Sequence, residues 1–384
     1  MKVLHVFTLA ETAEAFFDGQ FAYLTDGGQT IHLASSTEPN ANFTRRNNIA
    51  FHQINIERRI DIPADIKAIW RLFHLIKKNR YDIVVGHTPK GALVALTAAK
   101  LAGVRCRIYY RHGLIYTTAC GSMRFVLKSV ERFTGFCATH IVNVSPSLSK
   151  LAVDDKLNSP SKQTVIGLGT CGGIDTTRQF NPELLSNIDK FTLKSELGIS
   201  DNELVVGFCG RICKDKGIME LIDGFRSFRH DHPDSKLLLV GDFDTRDILP
   251  TSHKHEILEN KNIIITGLID KNKISLYYSL MDIFVFPSYR EGFGVSVIEA
   301  SAMQIPILVS TSHGCVDSIR EHITGEYIAL DAHGVSEGLE TMQDRIKRMH
   351  YGLNGRKWVV ENFDQRKMWP QIANFYNSLK HETI

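Results

Sequence analysis

Residues Pro287–Ala302 read PSYREGFGVSVIEASA. The apolar run Asp282–Pro287 (DIFVFP) leads into them, a turn with two glycines follows at Glu291-Gly-Phe-Gly294, and Val295–Ala302 has helical composition. Strand, glycine turn and helix in that order belong to an open α/β sheet, whose ligand crevice lies at the carboxyl ends of its strands. A helix starting near Val295 turns free N–H groups and the positive end of its dipole towards that crevice, which suits a phosphate. Gly292 and Gly294 let the backbone come close to such a ligand. Glu291 and Glu299 lie eight residues apart, about 12 Å at ~1.5 Å per helical residue. That is the scale for holding both ends of one nucleotide sugar. Taken singly, each glutamate is equally an ordinary surface acid.

Some eighty residues upstream, Gly207–Gly217 (GFCGRICKDKG) follows another apolar run and precedes a helix near Ile218. Arg211 and Lys216 flank this turn and both suit a diphosphate, Arg as a bidentate fork and Lys as a point charge. The stretch is neither a G-x-G-x-x-G dinucleotide fingerprint nor a Walker loop. Without further context its basic residues read as solvated surface.

Further outward the same alternation continues. Lys2–Leu9, Ile31–Ser35, Ile83–Gly86, Arg107–Tyr110 and His140–Val144 are short apolar runs separated by helical patterns, such as Ile66, Ile69, Trp70, Phe73 and Ile76. After a glycine-rich stretch, Val165–Asp175, a second series runs through Leu204–Cys209, Lys236–Gly241, Asn262–Gly267, Asp282–Pro287 and Ile305–Ser310. Two doubly wound parallel sheets follow from this. The expected division is an amino-terminal Rossmann-like domain over 1–172, a linker over 173–202, and a second Rossmann-like domain over 203–362. A terminal amphipathic helix over 363–384 packs back, with Met368, Ile372, Phe375, Tyr376 and Leu379 on one face.

With 384 residues, 43% hydrophobic and 23% charged, the chain has material for two cores and is no disordered or disulfide-stapled protein. No apolar run reaches membrane-spanning length, and the first residues, MKVLHVFTLA, read as a strand and not as a signal peptide. Seven cysteines without a Cys-x-x-Cys are expected as buried, reduced thiols. The net charge of +3 is unevenly spread: residues 1–172 hold 21 Lys and Arg against 12 Asp and Glu, the remainder 24 against 30. The basic half suits an anionic membrane, notably through Lys67, Arg71, Lys77, Lys78 and Arg80, and through Arg124, Lys128 and Arg132 beside Phe125–Leu127. The alternative is a merely solvated face. No nucleic-acid motif accompanies the charge.

Taken jointly, a Gly-Arg-x4-Lys-Gly turn and a Pro-Ser-x2-Glu-Gly-Phe-Gly-x4-Glu-Ala block resemble glycosyltransferase family 4, of GT-B fold. The likeness covers nearly the whole chain and includes His87-Thr-Pro-Lys-Gly91, Tyr110-Arg-His-Gly113, Gly172-Gly-Ile-Asp175 and Gly267-Leu-Ile269. Within the family these versions look most like bacterial capsule, exopolysaccharide and O-antigen transferases. The resemblance implies two Rossmann-like domains facing across a cleft. It implies that Arg211 and Lys216 hold the donor diphosphate with the backbone of Gly292, Phe293 and Gly294. Glu299 would hold the ribose, Gly267, Leu268 and Ile269 would receive the base, and Glu291 and His112 would act at the reacting sugar. One departure is the stretch Leu9–Gly19, which lacks the Gly-Gly turn many members carry after their first strand; it receives no role.

The implied activity is retaining transfer of a hexose or N-acetylhexosamine from a nucleotide sugar, UDP-linked, to a lipid-linked glycan. It implies no cofactor and no metal, Asp242-Phe-Asp244 being read as turn acids. The implied place is the cytoplasm, peripheral on the inner face of the cytoplasmic membrane. A sugar-nucleotide epimerase of the same fold and a non-catalytic nucleotide-sugar-binding scaffold are the competing readings.

Overall fold

The computed structural model describes residues 1–379. Two compact units account for them: Met1–Gly173 together with the chain from Gln365 onward, and Ile174–Asp364. The stretch expected as a linker, 173–202, is from Ile174 on part of the second unit and contains the helix Asn187–Glu196.

The first unit is built on seven parallel strands: β1 Lys2–Val6, β2 Thr30–Ser35, β3 Ala50–Gln53, β4 Ile83–His87, β5 Cys106–Arg111, β6 His140–Asn143 and β7 Gln163–Thr164. Their order is β3-β2-β1-β4-β5-β6-β7, with Val3 opposite both Ile31 and Ile83. The second unit has six: β8 Leu204–Cys209, β9 Ser235–Val240, β10 Ile263–Ile265, β11 Ile283–Phe286, β12 Ile307–Ser310 and β13 Gly325–Ile328, in the order β10-β9-β8-β11-β12-β13. Central strands such as β4 and β11 are buried at every position, as parallel strands covered on both faces must be. In each sheet the order reverses once, beside β1 and β4 and beside β8 and β11. Those switch points open ligand crevices at the strands' carboxyl ends.

Three strands escape the apolar-run criterion: β3 (AFHQ), β7 (QT) and β13 (GEYI). Each lies at a sheet edge, where one side needs no apolar partner. The helix Ile62–Asn79 forms as the periodicity predicts, with Asp61 capping the Ala64 amide. Ala68, Leu72 and Ile76 face the core, while Ile66 and Trp70 are 61% and 62% exposed. Six cysteines are buried as expected, but Cys120 is exposed.

The last helix, Gln365–Ser378, buries Met368, Ile372 and Tyr376. It belongs to the first unit, with Trp369 against Gly19 and Tyr376 near the His5 ring. Residues 380–384 of the expected terminal helix lie outside the described residues.

Candidate active site

In the second unit, the turns after β8 and β11 are locked together. Gly217 is the N-cap of the helix Ile218–Asp231 with φ of +69°. A Cβ there would stand 1.9 Å from the Pro287 carbonyl oxygen, so only glycine lets the two turns meet. Asp215 completes the join. Its carbonyl accepts from the Tyr289 amide (3.0 Å) and the Ser288 hydroxyl (3.1 Å), and its carboxylate takes Arg290 at 2.7 Å.

This brings the basic and acidic residues of the two motifs side by side. The Lys216 ammonium pairs with the Glu291 carboxylate, both mostly buried, and lies 5.3 Å from the centre of the Phe286 ring. The Arg211 guanidinium pairs with Asp244, which also faces Arg246 at 3.6 Å. Burial alone would raise the Asp244 carboxyl, but the Arg246 amide and the Arg211 guanidinium outweigh it and hold it at about 2. Asp244 is therefore a permanent anion whose partner is an arginine.

The helix Val295–Ala302 starts from Gly294, at φ +67°, with no side chain capping its first turn. The Val297 amide donates to the Gly294 carbonyl at 3.0 Å, and the first turn keeps the positive end of the helix dipole. Phe293 is anchored: it is 3% exposed and its ring lies 5.1 Å from that of Phe363. One turn into the helix, Glu299 accepts a 2.8 Å hydrogen bond from Tyr278. Burial pushes the Glu299 carboxyl up to about 7, against the pull of the Tyr278 hydroxyl and Lys271. Gly267 follows β10 and bridges to Gly241 after β9, leaving Leu268 86% exposed and Ile269 partly exposed beside it. Arg211, Lys216, Glu291, Gly292, Phe293, Gly294, Glu299 and Gly267–Ile269 are thus all on turns or helices of one unit.

His112 belongs to the other unit, just after β5. Both its ring nitrogens are engaged: Nε2 lies 3.0 Å from His87 Nδ1, and Nδ1 lies 3.2 Å from Cys171 Sγ. Leu9–Gly19, without a role from sequence, is largely the helix Ala10–Phe17, and Phe17 packs edge-on against His87 and His112.

Sequence reasoning missed Tyr278, Asp215 as the joint between turns, and Asp244 as the holder of Arg211. Nothing local in Ile274–Tyr278 (ISLYY) marks a tyrosine that reaches a glutamate 21 residues on; the Asp-x-Asp was seen and its arginine partner was not.

The description "Glycosyl transferases group 1" fits residues 189–358, and "Glycosyl transferase 4-like" fits residues 5–135. The capsular polysaccharide biosynthesis glycosyltransferase CapM of Staphylococcus aureus is 32% identical over 384 residues, covering 100% of this chain and 98% of its own. The Escherichia coli UDP-Gal:alpha-D-GlcNAc-diphosphoundecaprenol alpha-1,3-galactosyltransferase is 27% identical over 332 residues, 85% of this chain and 83% of its own. Among solved structures, Anabaena Alr3699/HepE in complex with UDP-glucose superposes with a TM-score of 0.80 at 18% identity, covering 99% of this chain and 100% of its own. At that identity the likeness speaks for the fold.

Proposed function

The chain belongs to the group 1 and 4-like glycosyl transferases, and from that premise we propose that it moves a hexose or N-acetylhexosamine from a UDP-linked sugar to a lipid-diphosphate-linked glycan in capsule or related surface polysaccharide synthesis. The observation that carries this reading is the Lys216–Glu291 pair beside the uncapped start of the helix Val295–Ala302. In this reading the cation and the helix start receive the leaving diphosphate, and the carboxylate stands at the sugar. The name of the galactosyltransferase relative supports the lipid-diphosphate acceptor, and that of CapM the role in capsule synthesis.

In this reading Arg211 and Lys216 take the diphosphate and Glu299 takes the ribose hydroxyls. The backbone of Gly267–Ile269 receives the base. Charge grows on the leaving diphosphate in the transition state, so pre-set cations and amides lower the barrier there. Retention follows if the acceptor attacks from the leaving-group face and the diphosphate takes its proton. Glu291 then orients the sugar; its carboxylate is already tied to Lys216. No cofactor or metal is invoked, since Asp244 is committed to Arg211 and Arg246.

The test is transfer itself. Sugar nucleotides that raise the melting temperature are given to the protein with a lipid-diphosphate glycan, in excess chelator, and the anomeric configuration of the product is read by NMR. A retained product in chelator is expected. Inversion, loss of activity restored by manganese, or epimerisation of the donor without acceptor each overturns the reading.

Asp244 deserves a separate measurement, because it aims Arg211 without facing the diphosphate itself. Asp244→Asn removes the charge that fixes the guanidinium, so UDP affinity measured by calorimetry should fall about 5- to 20-fold, the range for a weakened charged contact. Unchanged affinity would mean that Arg211 reaches the ligand unaided.

For membrane docking, the exposed surface is more specific than net charge. The helix Ile62–Asn79 exposes Ile62, Ile66 and Trp70 at successive turns, with Lys67 and Arg71 beside them. The helix Gly121–Cys137 exposes Met123, Phe125 and Val126 around Arg124. No helix among the described residues is long and apolar enough to cross a membrane. We place the protein peripherally on the inner face of the cytoplasmic membrane through these two helices. Each basic residue near an anionic surface contributes about 1 kcal/mol. A variant carrying Lys67→Glu, Arg71→Glu and Trp70→Ser should lose at least tenfold in affinity for phosphatidylglycerol vesicles. Undiminished binding would return this face to solvent.

A further inference from the structure

Three histidines from three neighbouring strands form a continuous chain in the first unit. His5 Nδ1 in β1 lies 2.9 Å from His87 Nε2 at the end of β4, and His87 Nδ1 lies 3.0 Å from His112 Nε2. His112 Nδ1 ends the chain 3.2 Å from Cys171 Sγ. Phe7 stacks on His87 at 4.0 Å between ring centres, and Tyr110 stacks on both His87 and His112 at 5.2 Å. At the far end His5 Nε2 is buried with no hydrogen-bond partner, its ring set 4.7 Å from Phe21 and near Tyr376.

Neutral imidazoles linked in this way share one direction: each must donate from one nitrogen and accept at the other. Burial keeps all three neutral, lowering His5 to about 3, His112 to about 4 and His87 well below its ordinary value. Two directions exist. If the protons point towards Cys171, His5 Nε2 is a bare lone pair among aromatic rings, and the thiol proton must find another acceptor. If they point towards His5, the Cys171 S–H donates to His112 Nδ1, His112 Nε2–H to His87, and His87 Nε2–H to His5. The last N–H then lies among the rings of Phe21 and Tyr376, and an aromatic ring face attracts an N–H and repels a lone pair. Burial pushes the Cys171 thiol up to about 12, so its proton is present to be donated. The second direction gives every donor but the His5 Nε2–H a hydrogen-bond partner.

We propose that His87 and His5 are positioning residues that hold His112 as the Nε2–H tautomer, so that Nδ1, which faces the Cys171 thiol, can only accept. A thiol is a weak donor, and a sugar hydroxyl can replace it at Nδ1. His112 then orients the donor sugar by accepting from one of its hydroxyls, and serves neither as an acid nor as an oxyanion donor. This part rests on the role at the reacting sugar that the likeness to glycosyltransferase family 4 implies for His112.

The test is NMR of the full chain labelled with ¹⁵N-histidine, where the two ring nitrogens of each tautomer have distinct shifts. Nε2–H patterns at His5, His87 and His112 are expected; an Nδ1–H pattern at His112 overturns the proposal. This reading needs no substrate, so it stands or falls separately from the transfer activity. His87→Phe should abolish the single tautomer at His112 and lower kcat/KM for a UDP-sugar about tenfold, with UDP affinity unchanged as the control for folding. His87→Gln, which can still donate and accept, should recover most of the loss. Should His87→Phe not fold, the comparison of His87→Gln with His5→Phe carries the same contrast. Wild-type turnover in a folded variant whose His112 tautomer has changed overturns the positioning role.

Discussion

Lys216→Ala is expected to lower kcat/KM for sugar transfer by two to three orders of magnitude while leaving the melting temperature without ligand nearly unchanged. The ammonium is mostly buried and pairs with Glu291, and the helix Val295–Ala302 starts four residues on from that glutamate. A charged hydrogen bond in such a place is worth ~1.5–3 kcal/mol in binding, and more where charge develops in the transition state. Removal also leaves Glu291 as an unpaired carboxylate facing the diphosphate, which adds repulsion to the lost attraction. Arg211→Ala should cost less, because its side chain is half exposed and screened by water. Steady-state kinetics on both variants decides the order. A Lys216→Ala enzyme within threefold of wild type would remove the ammonium from the reaction.

The two glutamates should respond in opposite ways. Glu299→Gln is expected to weaken UDP about 10- to 30-fold, since in the proposed reading the carboxylate grips the ribose and its loss removes a charged acceptor. Glu291→Gln should leave UDP affinity intact or slightly improved, because Lys216 is released from a competing anion, yet reduce turnover at least a hundredfold. Equal losses of UDP affinity would show that the ends of the donor have been exchanged. The pH dependence is a second signature. With Glu299 at about 7 before binding, a proton must leave before both ribose hydroxyls can donate to it. Affinity for a UDP-sugar should therefore rise with pH until about 7 and then level off, and Glu299→Gln should flatten that slope.

Much of this was legible from residue order. The strand-turn-helix reading of Pro287–Ala302 placed Glu291 before, and Glu299 within, the helix that the structure shows at Val295–Ala302. Parallel strands announce themselves because both faces are buried and the runs are apolar; β3, β7 and β13 did not, because edge positions tolerate His, Gln and Glu. Side-chain partnership was not legible. Asp244 and Arg211 are 33 residues apart, and Tyr278 and Glu299 are 21; each pair meets only because neighbouring elements of the second unit bring them together. The histidine chain is harder still. His5, His87 and His112 look like three unrelated strand-end residues until the order β1-β4-β5 sets them side by side. The exposure of Ile66 and Trp70 was not legible either: a periodic apolar pattern says which residues share a side, and not which of them the neighbouring elements cover.

The first unit is discontinuous in sequence, its final helix Gln365–Ser378 arriving only after the whole of Ile174–Asp364. On the ribosome, at roughly 5–20 residues per second, those intervening 190 or so residues take about 10–40 s to emerge. For that interval the nascent first unit lacks Trp369 over Gly19, Met368 beside Gly167 and Tyr376 beside His5. An apolar surface with a buried-to-be imidazole therefore stands open during synthesis, a natural station for a chaperone. The second unit, continuous in the chain, can complete its core first, so the half translated earlier is the half that matures last.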